Sequence, residues 1–213
     1  MSEPGAQVWL VRHGETEWSR LGRHTGRTDV PLTERGRSEA ALLGARIRTH
    51  PFTGVFTSPL RRAADTCRLA GFGDVAEIRD DLMEWDYGAY EGLTTLEIRA
   101  DHPGWDLWSD GADGGESAAK IGARADQVIA ELRGIDGDVA LFAHGHVLRV
   151  FAARWLGLPP SEGRLLAFAT TAISVLGYEW ERPTICRWNE DCHLTGQLTL
   201  LQRRSTRAAE EVG

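Results

Sequence analysis

Val8-Trp9-Leu10-Val11-Arg12-His13-Gly14-Glu15-Thr16 is the stretch on which the reading of this chain turns. Four apolar residues in succession fit a strand buried on both faces. The run stops on an arginine, a histidine and a glycine, so these fall at the strand's carboxyl end. Open α/β sheets bind their ligands there.

A second stretch repeats the arrangement. Residues 139–143 form a fourth buried strand, followed by His144-Gly145-His146 and a helix over 147–156. Between the two lie a helix opened by Thr33 and Glu34 and stopped before Pro51, and a strand at Val55-Phe56-Thr57. Ser58-Pro59 then reads as an N-cap with proline in the first turn of a helix running towards Leu69. A third strand is expected over 75–78, and a helix from Glu116-Ser117 through Leu132. A hairpin follows, with strands over 173–179 and 184–188 and Arg182-Pro183 between them. Alternating strands and helices give a three-layer α/β/α sandwich around a mostly parallel sheet. One domain over 1–200 is expected, with a short lid insertion at about 87–115 and a polar, flexible tail at 201–213.

In a parallel sheet the two histidine-bearing strand ends share one rim, so His13 and His144 can meet across a pocket. Arg12 lies beside one of them, and Arg61 and Arg62 begin the helix after the intervening strand. Guanidiniums, imidazoles and helix N-termini outline an anion site. A neutral imidazole is a competent nucleophile near pH 7, and phosphoryl transfer asks mainly for alignment and charge neutralisation. The leaving alkoxide needs a proton, for which Glu84 is the candidate, with Asp86 and Glu91 as nearby alternatives.

Composition narrows the partners. The 213 residues carry a net charge of -7 and no basic run, which argues against nucleic acid. No window is apolar enough for a membrane span, and the N-terminus lacks a targeting signature, so a cytoplasmic location is expected. The 3 cysteines are too scattered for a disulfide framework or a zinc site, and no metal is expected. The 8 tryptophans exceed what the core requires, leaving some for a pocket wall. A homodimer is an open option.

The motifs carry a resemblance. Leu10-Val11-Arg12-His13-Gly14-Glu15-Thr16 resembles the signature of the histidine phosphatase superfamily, which includes the cofactor-dependent phosphoglycerate mutases. The likeness continues, in the family's order, through Thr25-Gly26-Arg27, Ser58-Pro59-Leu60-Arg61-Arg62-Ala63, Glu84-Trp85-Asp86-Tyr87-Gly88, Gly115-Glu116-Ser117 and Ala143-His144-Gly145-His146. By that resemblance His13 is the phosphorylated nucleophile, and Arg12, Arg62 and His144 complete the phosphate pocket. Glu84 is the general acid and later base. Thr25 and Gly26 match substrate or phosphate contacts, Gly145 a backbone donor, and no cofactor is implied. The stretch over 92–115 is shorter than in the mutases, which favours hydrolysis. The turn after Glu84 and the segment 105–111 look most like the sedoheptulose-bisphosphatase-like members, which implies a small phosphorylated substrate, a sugar phosphate. A phosphoglycerate mutase and a non-catalytic phosphoprotein-binding module are the alternatives.

Other readings are plainer. His24 is either a substrate contact or a polar loop residue. Trp105 and Trp108 either stack on a sugar or pack the lid. His146 is read as a helix-cap neighbour without a chemical part.

Overall fold

The computed structural model describes residues 6–194, so the expected tail at 201–213 lies outside the described residues. Six strands form one sheet in the order β3-β2-β4-β1-β5-β6: β1 (Val8–Arg12), β2 (Gly54–Thr57), β3 (Glu77–Ile78), β4 (Val139–Ala143), β5 (Ile173–Glu179) and β6 (Arg182–Glu190). The first four run parallel, while β5 and β6 are antiparallel additions on one side. The sheet is thus mostly parallel, as the alternation of elements required.

A single-turn helix, α1 (Glu17–Arg20), follows β1, and two layers of helices cover the sheet because successive strand residues point to opposite faces. Val8 and Leu10 of β1, with Leu141 of β4, pack towards α6 (Ala118–Leu132) and α7 (Gly145–Trp155) through Ile121, Leu148 and Phe151. Trp9, Val11 and Phe142 pack on the other face against Leu43 and Ile47 of α2 (Glu34–Ile47) and Cys67 of α3 (Arg61–Leu69). Both central strands therefore read as continuous apolar runs, since neither face meets water. No helix among the described residues is long and apolar enough to cross a membrane.

Register positions the chemistry. Arg12 pairs with Ala143 and Thr57 with Phe142. The residues that follow, His13, His144 and Ser58, therefore emerge together at one rim. His13 N–H donates to Ala143 O at 3.0 Å and Ser58 N–H to Phe142 O at 2.9 Å, extending the ladder past the strands.

Several boundaries differ from the sequence expectations. The helix after Ser58-Pro59 starts at Arg61, with Leu60 at the N-cap and no side-chain cap from its own sequence. Asp29, from a distant loop, accepts Arg61 N–H at 2.8 Å instead, while the Ser58 hydroxyl accepts Leu60 N–H at 3.3 Å. The third strand shrinks to Glu77–Ile78 at the sheet edge, with Val75 and Ile78 largely exposed. The last helix begins at Gly145, two residues early, so its N-terminus reaches the rim. The hairpin turns at Trp180-Glu181, and Arg182 and Pro183 belong to β6, an edge strand that tolerates proline.

Residues 87–115 hold two short helices, α4 (Thr95–Asp101) and α5 (Leu107–Asp110). Trp105 and Trp108 are buried in the core on the α6–α7 side. Trp105 Nε1–H donates to Gly111 O at 3.0 Å. The segment packs onto the domain through these rings.

Candidate active site

A pocket of about 250 Å³ opens at the carboxyl ends of β1 and β4. Its wall includes Arg12, His13, His24, Thr25, Glu84 and Gly145 among the residues expected from sequence, joined by Ser19, Arg23, Tyr87, Thr95, His146, Arg149 and Phe168. No tryptophan lines it.

His13 is 5% exposed. Its Nδ1 lies 2.7 Å from Gly14 O, and a carbonyl only accepts, so Nδ1 carries the proton and Nε2 keeps its lone pair. Burial, and then the charges of Arg62 and Arg12, hold its pKa well below the usual histidine range, opposed by the Gly14 bond. The ring is therefore neutral at pH 7, as a nucleophile requires. Its backbone is clamped: Thr171 N–H donates to His13 O at 3.1 Å, and Gly14 N–H to Thr66 Oγ1 at 2.9 Å. Thr171 makes its contact from φ 56°, a costly conformation for a β-branched residue. Gly14 admits no side chain, because a Cβ would sit 2.6 Å from Gly36 O.

His144 stands beside it, with ring centroids 5.2 Å apart. Arg62 Nε–H donates to His144 Nδ1 at 3.0 Å, and a guanidinium cannot accept. His144 is thereby fixed with its proton on Nε2, which donates to Ser58 Oγ at 2.8 Å. Burial and the neighbouring Arg62 push its pKa well below the ordinary value.

Arg62 is fully buried, and its remaining bonds go to Thr28 O, Thr25 O and Gly26 O, each at 2.9 Å. Arg62 and Gly26 are both tied into the frame of the site, Arg62 through His144 and Gly26 through its carbonyl to Arg62. Arg62 sits behind His144. Gly26 N–H is held by the Glu91 carboxylate at 2.9 and 3.0 Å, and its carbonyl anchors Arg62. Thr25 does face the pocket, with its hydroxyl donating to Arg23 O at 3.0 Å.

Arg12 reaches the pocket from the end of β1. Its Nη1–H donates to Phe168 O, while its buried Nε has no hydrogen-bond partner among the described residues. The guanidinium lies against Gly145, where a Cβ would come within 3.2 Å of Cζ and Nε. Glycine at the start of α7 is what lets the cation approach the helix N-terminus, itself favourable to anions.

Glu84 is 4% exposed, with its carboxylate at the pocket. Trp85 N–H and Val147 N–H each donate to Oε1 at 2.9 Å, and His146 N–H to Oε2 at 3.0 Å. The two alternatives are spent elsewhere. Asp86 Oδ1 accepts from Gly88 N–H at 3.0 Å, and Glu91 holds Gly26 and Thr28.

His146 does more than flank a cap. Besides the backbone bond to Glu84, its Nδ1 lies 2.7 Å from Tyr87 Oη, and both rings line the pocket. Burial depresses the His146 pKa and raises that of Tyr87, so both stay neutral at pH 7. His24, packed against Tyr87 at 4.8 Å, is pushed down to about 4 by burial. Sequence reasoning missed Ser58, Tyr87 and Arg149 as site residues. Arg149 had a readable signal, four residues past Gly145 on one helix face; the Ser58 hydroxyl had none.

Among the described residues no three histidine, cysteine, aspartate or glutamate side chains converge to hold a metal ion.

Comparison with known proteins gives this geometry relatives. The family model for the histidine phosphatase superfamily (branch 1) matches residues 8–191. An acid phosphatase of Mycobacterium tuberculosis is 45% identical over 177 residues, which is 81% of this chain and 87% of the relative. The sedoheptulose 1,7-bisphosphatase of Saccharomyces cerevisiae is 39% identical over 182 residues, covering 70% of this chain and 67% of its own. The solved structure of the Mycobacterium tuberculosis open reading frame Rv3214 superposes with a TM-score of 0.83 at 42% identity, over 86% of this chain and 97% of that one.

Proposed function

The chain belongs to the histidine phosphatase superfamily and is a phosphoric monoester hydrolase, and we propose that it acts through a phosphohistidine formed on His13. The observation that carries this reading is the Nδ1–Gly14 bond, which leaves a neutral imidazole with its Nε2 lone pair free.

In the first step His13 Nε2 attacks phosphorus, the bond from phosphorus to the ester oxygen breaks, and Glu84 gives its proton to the departing alkoxide. Water then enters and Glu84 takes its proton. The resulting hydroxide attacks phosphorus, the phosphorus–nitrogen bond breaks, and inorganic phosphate leaves with His13 restored. Arg12 and the α7 N-terminus at Gly145 balance the phosphoryl oxygens' charge, with His144 Nε2–H available when it turns from Ser58. Arg62 acts through His144, fixing its tautomer, and adds positive potential from behind. Thr25 and His24 form the wall against the leaving group.

A phosphorylated sugar is the substrate class we favour. The wall is rich in donors, and a pocket of about 250 Å³ admits a small ester. The yeast relative's named substrate is of this kind. Residues 87–115 act as the pocket's cover within the same domain.

The test is phosphate release from a panel of sugar phosphates, phosphoglycerates and nucleotides in the presence of EDTA. Turnover should persist in the wild type and fall by roughly 10⁴ or more in His13→Ala. Retained turnover in that variant sinks the proposal. Isomerisation of phosphoglycerate without phosphate release would instead assign a mutase.

A further inference from the structure

We propose that Arg124 and Glu116, neither of which lines the pocket, are positioning residues that hold Glu84 where it can pass its proton to the leaving oxygen. This role presupposes Glu84 as the acid and base of the reaction and adds the ion pair that keeps it in place.

Glu84 needs such support because its main chain belongs to no helix or strand. Residues 83–87 connect a 3₁₀ turn at Asp80–Leu82 to another at Gly88–Tyr90. A misplacement of about 1 Å at a catalytic group can cost roughly 10² in rate. The three N–H groups that bond the carboxylate fix the tip of the side chain. The chain that carries it is fixed by Arg124 and Glu116.

Arg124 belongs to α6, and Glu116 directly precedes the Ser117 cap of that helix. Ile121, Ala125 and Val128 bury α6 in the core, so both residues stand on a packed element. Arg124 Nη1–H groups donate to Asp81 O and Met83 O at 2.6 Å each, and Nη2–H to Glu84 O at 3.4 Å. One guanidinium thereby gathers three carbonyls, ending on that of Glu84 itself. Glu116 grips the residues that follow. Its Oε2 accepts Asp86 N–H at 2.9 Å, its own N–H donates to Asp86 O at 2.9 Å, and its carbonyl accepts Trp85 Nε1–H at 2.8 Å.

The two side chains then close on each other, Arg124 Nη2 to Glu116 Oε2 at 3.2 Å, with only 16% and 17% of them exposed. Either charge alone would lose hydration without a partner, whereas the pair offsets that cost. Glu116 therefore keeps Arg124 on the carbonyls, and loss of either loosens the chain around Glu84. Other ion pairs of α6 lack this link. Asp126 pairs with Arg154 at 2.8 Å, and neither bonds to the segment that carries the acid.

The experiment measures phosphorylation of His13 by a sugar phosphate and by p-nitrophenyl phosphate, using rapid quench and stopped flow on the full chain. Nitrophenolate leaves without a proton, so its burst should stay near the wild-type rate in Arg124→Met. Phosphorylation by the sugar phosphate should slow roughly 10- to 100-fold in the same variant. Arg124→Lys should recover part of this, because one ammonium cannot span the carbonyls as the planar fork does. Glu116→Gln keeps an oxygen for Asp86 N–H and should show the same split between esters at smaller size. In Glu84→Gln the proton is already gone, so adding Arg124→Met should slow the sugar phosphate no further. Asp126→Asn, which breaks an ion pair on the same helix, should change neither rate. Equal slowing of both esters, no slowing of either, an additive loss in the double variant, or the same split in Asp126→Asn overturns the proposal. If Arg124→Met does not fold, Arg124→Lys and Glu116→Gln decide on the same criteria. Failure of Glu84 as the acid is seen separately, as the absence of any split in Glu84→Gln alone.

Discussion

Replacing Glu84 by Gln tests the acid–base assignment through the leaving group. The substitution keeps shape and burial but removes the proton, and it also disturbs a defined set of bonds. Oε1 accepts from Trp85 and Val147, and Oε2 from His146. A glutamine oxygen at the first position keeps two bonds and turns its NH₂ towards the His146 N–H, a donor facing a donor. The better orientation thus loses one hydrogen bond to a charged group, about 1.5–3 kcal/mol. For a chain of this length the melting temperature should fall by roughly 2–4 °C per kcal/mol. Catalysis separates from stability in pre-steady-state kinetics. With a sugar phosphate the alkoxide cannot leave unprotonated, and phosphorylation of the enzyme should slow by roughly 10²–10⁴. Nitrophenolate leaves without a proton, so p-nitrophenyl phosphate should still give a burst. The phosphoenzyme should then accumulate, because the base for its hydrolysis is gone. Stopped-flow absorbance and rapid quench read both quantities. Equal slowing of phosphorylation by the two esters, with no burst, would refute Glu84 as the acid.

Two further outcomes follow from the buried histidines. His13, His144 and His146 have pKa values well below 6.5, and His24 about 4, so the native state refuses protons that the unfolded chain accepts. Both states are neutral above about pH 6.5, where stability is unaffected. As pH falls from there towards 5 the unfolding free energy measured by urea titration should drop, by up to about 1.4 kcal/mol per pH unit for each histidine; a flat value across that window would contradict the burial of these rings. Nitrogen-15 NMR of histidine-labelled protein should find His144 protonated on Nε2 alone, in the wild type and in Ser58→Ala, since Arg62 sets the tautomer. A proton on Nδ1 would mean that the Arg62 bond is wrong.

The sheet was legible because burial on both faces leaves an unbroken apolar signature, as in Val8-Trp9-Leu10-Val11 and Val139-Ala140-Leu141-Phe142. Strand ends then located Arg12, His13, His144 and Gly145 without knowledge of the register. Glu84 lines the pocket, whereas Asp86 and Glu91 bond to backbone elsewhere, a difference only the fold reveals. What the sequence left illegible depended on contacts distant along the chain. Ser58 looked like a cap because local pattern cannot show that Asp29 caps that helix instead. Arg62 is read from its motif as a phosphate ligand, and its sequence does not disclose the three carbonyls and the imidazole that also take its donors. Trp105 and Trp108 left two readings open, since an aromatic residue in a polar segment suits a core or a ligand equally until its neighbours are known. The His146 contact was illegible for the same reason: its partner, Tyr87, is 59 residues away.

The central claim is that phosphorus bonds to one particular nitrogen of His13. Enzyme labelled with nitrogen-15 histidine should be quenched with base during turnover of a sugar phosphate, and phosphorus–nitrogen coupling measured by NMR on the His13 peptide. The account predicts phosphate on Nε2. Phosphate on Nδ1, on the Ser58 hydroxyl, or on no residue while turnover continues would contradict it.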